Sequence, residues 1–390
     1  MAAPGNAPIY VSLESARGSG TVATHALLAA MLRAREQVSD LIFSPGRLPQ
    51  VEVNGQLHTV EAPGLLPLTA DETRRIASDL IGENKQAISV LREQGYCDIS
   101  YGLPGVARFR VNVFIQRGSC AVVMRVIPTK IPDLAALGLP SQLEEIAQLR
   151  DGIVLVTGPR GSGKSSTLAA LLDRINQQRV CHIITIEDPI EFLHNHKRAT
   201  IHQRELHSDT PSLALALRAA LRQAPAVILL GEMRDRETME MLLEAAETGH
   251  LVLSSLNTMD AAQTVERIVN AFPVPEQAGI RDRLARTLRW IVSQRLIPRS
   301  DGSGRVAVAE ILKMQLQALP GLEDQNCPTK SASPDPRKCA SNGMHRFDAE
   351  IEKLVRAGVV DVATALAYAS DPRQLQQVLA DLNTSVPGVR

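Results

Sequence analysis

Aromatic side chains are scarce: Phe, Trp and Tyr together make up 3% of the 390 residues. Few rings are left to stack on unpaired bases, the usual grip on single-stranded nucleic acid. Forty-two Lys and Arg balance forty-two Asp and Glu, so no net field draws the chain to nucleic acid or to an anionic bilayer. A nucleic-acid enzyme is disfavoured, and no nucleic-acid partner is expected. The five cysteines, Cys97, Cys120, Cys181, Cys327 and Cys339, form no Cys-x-x-Cys pair, so neither a zinc knuckle nor a dithiol redox motif is indicated. Their odd number fits no complete disulfide framework. No apolar run approaches the roughly 18 residues that span a bilayer, and residues 1–21 lack both the basic and the apolar segment of a signal peptide. The expected setting is the cytosol, without membrane insertion, and any work on a membrane machine passes through protein contacts.

What the chain does have is concentrated in residues 152–170. Four apolar residues, 153–156, read as a strand buried on both faces, and Gly158-x-x-x-x-Gly163-Lys164-Ser165 follows, leading into a helix over 168–175. Strand, glycine-rich loop and helix stand in the order a phosphate-binding loop requires. Glycines let main-chain N–H groups curl round a polyphosphate, and the helix points its positive end at the anion. The candidate nucleotide contacts are Gly158, Pro159, Arg160, Gly161, Ser162, Gly163, Lys164, Ser165 and Ser166. Lys164 reaches the outer phosphates and the Ser165 hydroxyl can ligate Mg²⁺.

Around this loop the periodicity divides the chain. Residues 1–21 are rich in Ala, Gly, Pro and Ser and are expected to lack fixed structure. A helix over 22–36 comes next, then strands at 40–43 and 51–60, the latter broken by Asn54-Gly55, a tight-hairpin signal. Thr69 and Glu72 form a capping box opening a helix to 81, and another helix spans 85–94. Strands follow at 97–102, 107–114 and 120–127. In the middle one Phe109, Val111 and Val113 alternate with Arg108, Arg110 and Asn112, whose face is either solvated or meets a neighbouring subunit or its nucleotide. Residues 22–127 read as one α+β domain, and Pro-punctuated 128–141 as a linker. From 142 to 313 strands at 180–186, 227–230 and 251–254 alternate with helices at 212–223 and 237–247, the pattern of a parallel sheet covered on both sides. Helices at 261–271 and 276–297 follow, then a strand at 305–311. Residues 314–342 are read as an irregular loop, and 343–390 as a helical segment.

Three polar clusters fall at expected strand ends, where ligands of such sheets bind. Glu187, Asp188 and Glu191 follow the second strand. Glu232 follows 227–230, the usual place of the Mg²⁺-side carboxylate in a P-loop ATPase. His250 precedes 251–254, and Asn257 and Thr258 come after it. A carboxylate after a strand can instead cap the next helix, which is the plainer alternative for Glu187, Asp188 and Glu191. His194 and His196 are weak metal-ligand candidates without a third partner nearby. Arg281, Arg283, Arg286, Arg289 and Arg295 crowd the expected 276–297 helix, as a subunit contact or a solvated face.

Runs 185–192, 203–205, 216–222, 231–238 and 245–253, together with 108–114 and 305–311, resemble the boxes of the secretion-type motor ATPases, most closely the type IV pilus retraction branch of PilT and PilU. The resemblance covers roughly 22–313 and, more weakly, 343–382. It implies an α/β fold in which a RecA-like P-loop ATPase domain is preceded by a smaller α+β, PAS-like domain. It also implies a homohexamer that binds ATP and Mg²⁺ and powers pilus retraction and twitching motility. Lys164, Glu191, Glu232 and His250 would be catalytic, Ser165 and Glu232 would hold Mg²⁺, and Arg108 and Arg110 would turn toward nucleotide. Implied partners are an inner-membrane pilus platform protein, at the cytoplasmic face of that membrane, and a paralogous retraction ATPase. Two rival readings stay open: a nucleotide-binding, PilU-like accessory subunit with little ATPase activity, and the ATPase of a type II secretion or DNA-uptake machine. The absence of the four-cysteine zinc module usual in extension and secretion ATPases favours retraction. Departures are Asn257 in place of the second histidine-box residue, Ala224 and Ala226 in place of frequent aspartates, and a Pro- and Cys-bearing 314–342 where retraction ATPases carry an arginine-containing helix.

Overall fold

The computed structural model describes residues 8–12, 23–35, 38–128, 130–314 and 346–384. The chain divides into two compact units, residues 1–129 and 130–390. In the first, β1 (Ile9–Tyr10), α1 (Thr24–Arg33), β2 (Val38–Phe43), β3 (Gln50–Val53), β4 (Gln56–Glu61), α2 (Ala70–Ile81), α3 (Lys85–Gln94), β5 (Tyr96–Leu103), β6 (Ala107–Gln116) and β7 (Ser119–Ile127) follow in order. They build a sheet of order β1-β4-β3-β2-β7-β6-β5, antiparallel except for the β1–β4 pair. The Asn54-Gly55 turn has φ of 52° and 78°, the left-handed pair that matches strand twist. Thr69 and Glu72 close their capping box on α2. Along β6, Phe109, Val111 and Val113 are fully buried in the core with Phe43 and Met124, while Arg110 stays exposed. Ile9 and Tyr10 correct the expectation of an unstructured start, because they hydrogen-bond along the β4 edge.

The second unit begins with a 3₁₀ helix (Ser141–Gln148) and β8 (Gly152–Thr157), α4 (Lys164–Gln178), β9 (His182–Glu187), β10 (Thr200–Glu205), α5 (Leu213–Ala220), β11 (Val227–Leu230), α6 (Arg236–Glu247) and β12 (Leu251–Leu256). It continues with α7 (Ala261–Val269), α8 (Gln277–Thr287), β13 (Leu288–Pro298), β14 (Arg305–Lys313), α9 (Phe347–Arg356), α10 (Val362–Tyr368) and α11 (Pro372–Thr384). The sheet order is β10-β9-β11-β12-β8-β13-β14, parallel except for β14. Every residue of β8 is buried. Val154 and Val156 pack with α4 on one face, and Ile153 and Leu155 with α5 to α8 on the other. Helices α9 to α11 close a separate small core over Ile297 and Val308.

The expected helix over 276–297 is half wrong. It ends at Thr287, and Leu288–Pro298 is instead the strand that pairs with β8 on one side and β14 on the other. A short apolar run does not tell a buried strand from a helix by itself, and no Gly or Pro marks the junction. The five arginines therefore do not share one helix. Arg281 and Arg283 pair with Glu266 and Glu247, Arg289 on β13 pairs with Asp151, and Arg295 lies 4.0 Å over the Phe347 ring. Edge strand β10, polar at every residue but Ile201, is not among the expected strands. The 314–342 segment lies outside the described residues beyond Met314, and no described helix is long and apolar enough to cross a membrane.

Candidate phosphate and magnesium site

At the carboxyl end of β8 the chain turns through Gly158, Gly161 and Gly163, with φ of 144°, 75° and 91°. Gly158 has no room for a side chain, and at Gly163 a side chain would have to displace the end of Gln294. A Cβ at Gly158 would come within 2.2 Å of the Gln294 carbonyl, and one at Gly163 within 2.8 Å of Gln294 Nε2. Gln294 sits on β13, beside the register pair Ser293–Thr157, and its Oε1 accepts from the Thr167 hydroxyl (2.7 Å). It props the loop from below. The sequence reading missed Gln294 because it read 288–297 as helix; a strand there would have placed residue 294 directly beside the loop.

Helix α4 opens at Lys164 with Gly163 as N-cap and no side-chain cap, whereas Ser212, Asp235 and Asp260 cap α5, α6 and α7. Its first-turn N–H groups are left for an anion. Lys164 Nζ donates to the carbonyls of Gly158 (2.8 Å) and Pro159 (2.9 Å). Burial pulls the Lys164 pKa down; the charges of Glu232 and Glu191 oppose that shift, and Arg160 adds to it. Three strand-end loops thus bring Lys164, Glu232 and Glu191 into one electrostatic neighbourhood. Ser165 lies in the same first turn of α4, and the buried Ser162 Oγ has no hydrogen-bond partner.

Glu232 is held from two sides. Arg234 Nε donates to its Oε2 (3.0 Å), and Asn257 Nδ2 donates to its Oε1. The same Arg234 reaches Asp188 Oδ2 through a second nitrogen (3.0 Å), tying the loops after β9 and β11 together. The loop carrying Glu191 is fixed from β10. Glu205, 3% exposed, accepts from the Ile190 N–H (3.0 Å). Gln203 donates to Glu187 Oε1 (3.1 Å) and to the Phe192 carbonyl (2.9 Å), while its Oε1 accepts from the His194 N–H (2.8 Å). Those anchors are long-range partners that no spacing rule reveals.

Glu187 is partly buried beneath that loop and also accepts from the Thr185 hydroxyl (2.6 Å). Burial pushes its carboxyl from 4.5 up to about 6, against hydrogen bonds from Thr185, Gln203 and the Glu191 backbone. Between those values the folded chain keeps a proton that the unfolded chain has lost. Stability therefore falls as pH rises from about 4.5 to about 6 and stays lower beyond. Glu187→Gln removes this dependence. Thermal melts across pH 4.5 to 7 are expected to show the variant gaining on the wild type through that window, by a few degrees in all. A constant difference would contradict this.

Not every expected residue is gathered. His250 precedes β12, and its carbonyl accepts from the Gly152 N–H (3.1 Å) at the start of β8. The phosphate loop follows the far end of that six-residue strand, about 20 Å away. The His250 ring instead meets the Ala245 carbonyl (2.9 Å) and the Thr248 hydroxyl (3.1 Å). His250 thus lies at the opposite end of β12 from Asn257, and it is Asn257 that reaches Glu232. His194 and His196 do not form a metal pair. Burial lowers the His194 pKa to about 4, while His196 accepts from the Ile201 N–H, and no cluster of three or more metal-ligating side chains occurs among the described residues. Arg108 and Arg110 are carried on β6 of the first unit.

The oxygen donors of Ser165 and Glu232, the uncapped helix start and the glycine cradle fit a Mg²⁺-bound polyphosphate, since Mg²⁺ prefers carboxylate and phosphate oxygens. Comparison with known families decides the class: residues 75–378 match the family described as type II/IV secretion system protein. The chain belongs to this family. Among type II/IV secretion system proteins, the type IV pilus retraction ATPase PilT of Pseudomonas aeruginosa is 40% identical over 341 residues, which cover 87% of this chain and 96% of PilT. A twitching motility protein of Neisseria gonorrhoeae is 43% identical over 312 residues, covering 80% of this chain and 82% of its own. The crystal structure of the pilus retraction motor PilT with bound ADP matches with a TM-score of 0.76 at 40% identity, covering 87% of this chain and 95% of that one. A RecA-like ATPase domain preceded by a smaller α+β domain is the fold of this secretion-system protein.

Proposed function

We propose that the chain is an ATPase motor that hydrolyses ATP to power type IV pilus retraction, working as a homohexamer. One observation carries the reading: the phosphate loop, with Lys164 under the charges of Glu232 and Glu191, occurs in a chain 40% identical to PilT across most of both lengths. The amides and side chains of 158–166 hold the triphosphate, and Lys164 neutralises its outer oxygens. Ser165 and Glu232 hold Mg²⁺, which when bound offsets phosphate charge. Glu191 orients the attacking water and takes its proton. Arg108 and Arg110, on the first unit, turn toward nucleotide or a neighbouring subunit. The motor acts at the cytoplasmic face of the inner membrane through a pilus platform protein, alone or with a paralogous retraction ATPase.

A deletion strain tests the load. Excess immobile surface pili are expected; bald cells would assign the opposite direction of force. A second reading, an accessory subunit with little turnover, is favoured by Asn257, an amide bound to Glu232 where a histidine is usual. Steady-state ATP turnover of the purified chain separates the two, and Asn257→His reports whether that amide sets the rate.

A further inference from the structure

Away from the phosphate site, two imidazoles meet at the amino-terminal end of the second unit's sheet. His182 opens β9, and His202 lies on edge strand β10, where Thr200 is the residue opposite His182. Residues two apart on a strand share a face, so the rings meet diagonally across adjacent strands. His182 Nε2 and His202 Nδ1 are 2.9 Å apart, with the ring planes at 88°. On its other side His182 Nδ1 faces the Gln223 carbonyl (2.9 Å). A carbonyl only accepts, so in the neutral ring Nδ1 carries the proton and Nε2 presents its lone pair to His202. Solvent reaches both rings: His182 is half-buried and His202 exposed.

We propose that His182 Nε2 and His202 Nδ1 together bind a divalent late transition metal ion, Ni²⁺ or Cu²⁺, with water in the remaining positions. Imidazole suits these ions, which favour right-angled ligand geometry. With metal–nitrogen bonds of about 2.0–2.1 Å, two ligands at a right angle stand about 2.9 Å apart, whereas tetrahedral Zn²⁺ needs about 3.3 Å. The two strands therefore already set the bite. Ring rotation turns the lone pairs from each other toward a common ion, and His202 moves its proton from Nδ1 to Nε2. Metal-bound imidazoles ordinarily donate their other N–H to a carbonyl or carboxylate, which is the part Gln223 plays for His182. His196 stays outside the pair, because its Nδ1 accepts from the Ile201 N–H (3.1 Å), which leaves the proton on Nε2. Mg²⁺, which prefers oxygen ligands, does not compete here. The pair is separate from the phosphate site: His182 and Glu187 stand at opposite ends of β9, about 16 Å apart along the strand. A bound ion staples β9 to β10, the strand whose Gln203 and Glu205 hold the Glu191 loop.

The test is calorimetric titration of the full-length, nucleotide-free protein with Ni²⁺ in a reducing buffer. His182→Asn and His202→Asn are each expected to weaken Ni²⁺ by at least about tenfold, the loss that even a hydrogen-bond partner of a metal ligand brings. His196→Asn is expected to bind as the wild type does, and melting temperatures close to wild type check that all three variants fold. Absence of a saturable Ni²⁺ site in the wild type would overturn the proposal. So would equal affinity in the wild type and both pair variants, which would put the ion elsewhere. A loss in His196→Asn as large as in the pair would overturn the two-ligand assignment.

Discussion

Lys164→Ala is expected to abolish Mg²⁺-dependent ATP hydrolysis, lowering turnover by at least about a hundredfold to a thousandfold and weakening nucleotide binding at the same time. Lys164 Nζ is held at the mouth of the loop by the Gly158 and Pro159 carbonyls, pointing where the outer phosphates would lie. Removing it leaves the negative charge of the triphosphate facing Glu232 and Glu191 without that counter-charge. The fold should survive, because alanine is a strong helix former at the first residue of α4. Turnover and nucleotide affinity measured on the same preparation check it. A variant with full activity would mean that the loop is not the catalytic phosphate site.

Glu191→Gln is expected to act on one of those two quantities. Glutamine keeps the size and the hydrogen-bonding reach of the side chain but cannot accept the proton of the attacking water. Turnover should fall by about a hundredfold to ten-thousandfold, the typical contribution of a general base. Affinity for ATP should stay within a few-fold of wild type, since the glycine cradle, Lys164 and Ser165 are untouched. The loop that carries residue 191 is anchored through Gln203 and Glu205, neither of which depends on the Glu191 carboxyl. Loss of binding alongside turnover would recast Glu191 as a structural residue. Undiminished turnover would move the base elsewhere.

The parts of this site that were legible in the sequence are those whose chemistry is local. A buried strand, a glycine loop and a helix follow one another within twenty residues, so Gly158, Gly163, Lys164 and Ser165 could be read directly. Glu232 and Glu191 were legible because each closes or follows an apolar strand. What escaped depends on neighbours distant in the chain. Gln294 touches the loop only because Leu288–Pro298 is a strand beside β8, and the 3.6-residue pattern of α8 was carried too far into it. Gln203 matters through bonds to Glu187 at the end of β9 and to Phe192 and His194 in the loop beyond it, and its own strand is a polar edge without an apolar signature. His250 illustrates a different limit. It and Asn257 flank a six-residue strand, so the pair spans the sheet and only one end meets the phosphate loop.

In the first unit the Asn54-Gly55 turn, the capping box on α2 and the alternation of β6 were all readable, because each is a short-range rule with its own physical cause. The short β1 strand was not: two residues pairing with an edge leave no periodicity to find.

The most direct measurement is a structure of the protein with Mg²⁺ and a non-hydrolysable ATP analogue. The triphosphate is expected inside the Gly158 to Ser165 loop, with Ser165 and Glu232 on the metal side and Glu191 facing the γ-phosphate. A nucleotide bound away from that loop, or Glu191 turned away from the γ-phosphate with another carboxylate in its place, would contradict the account.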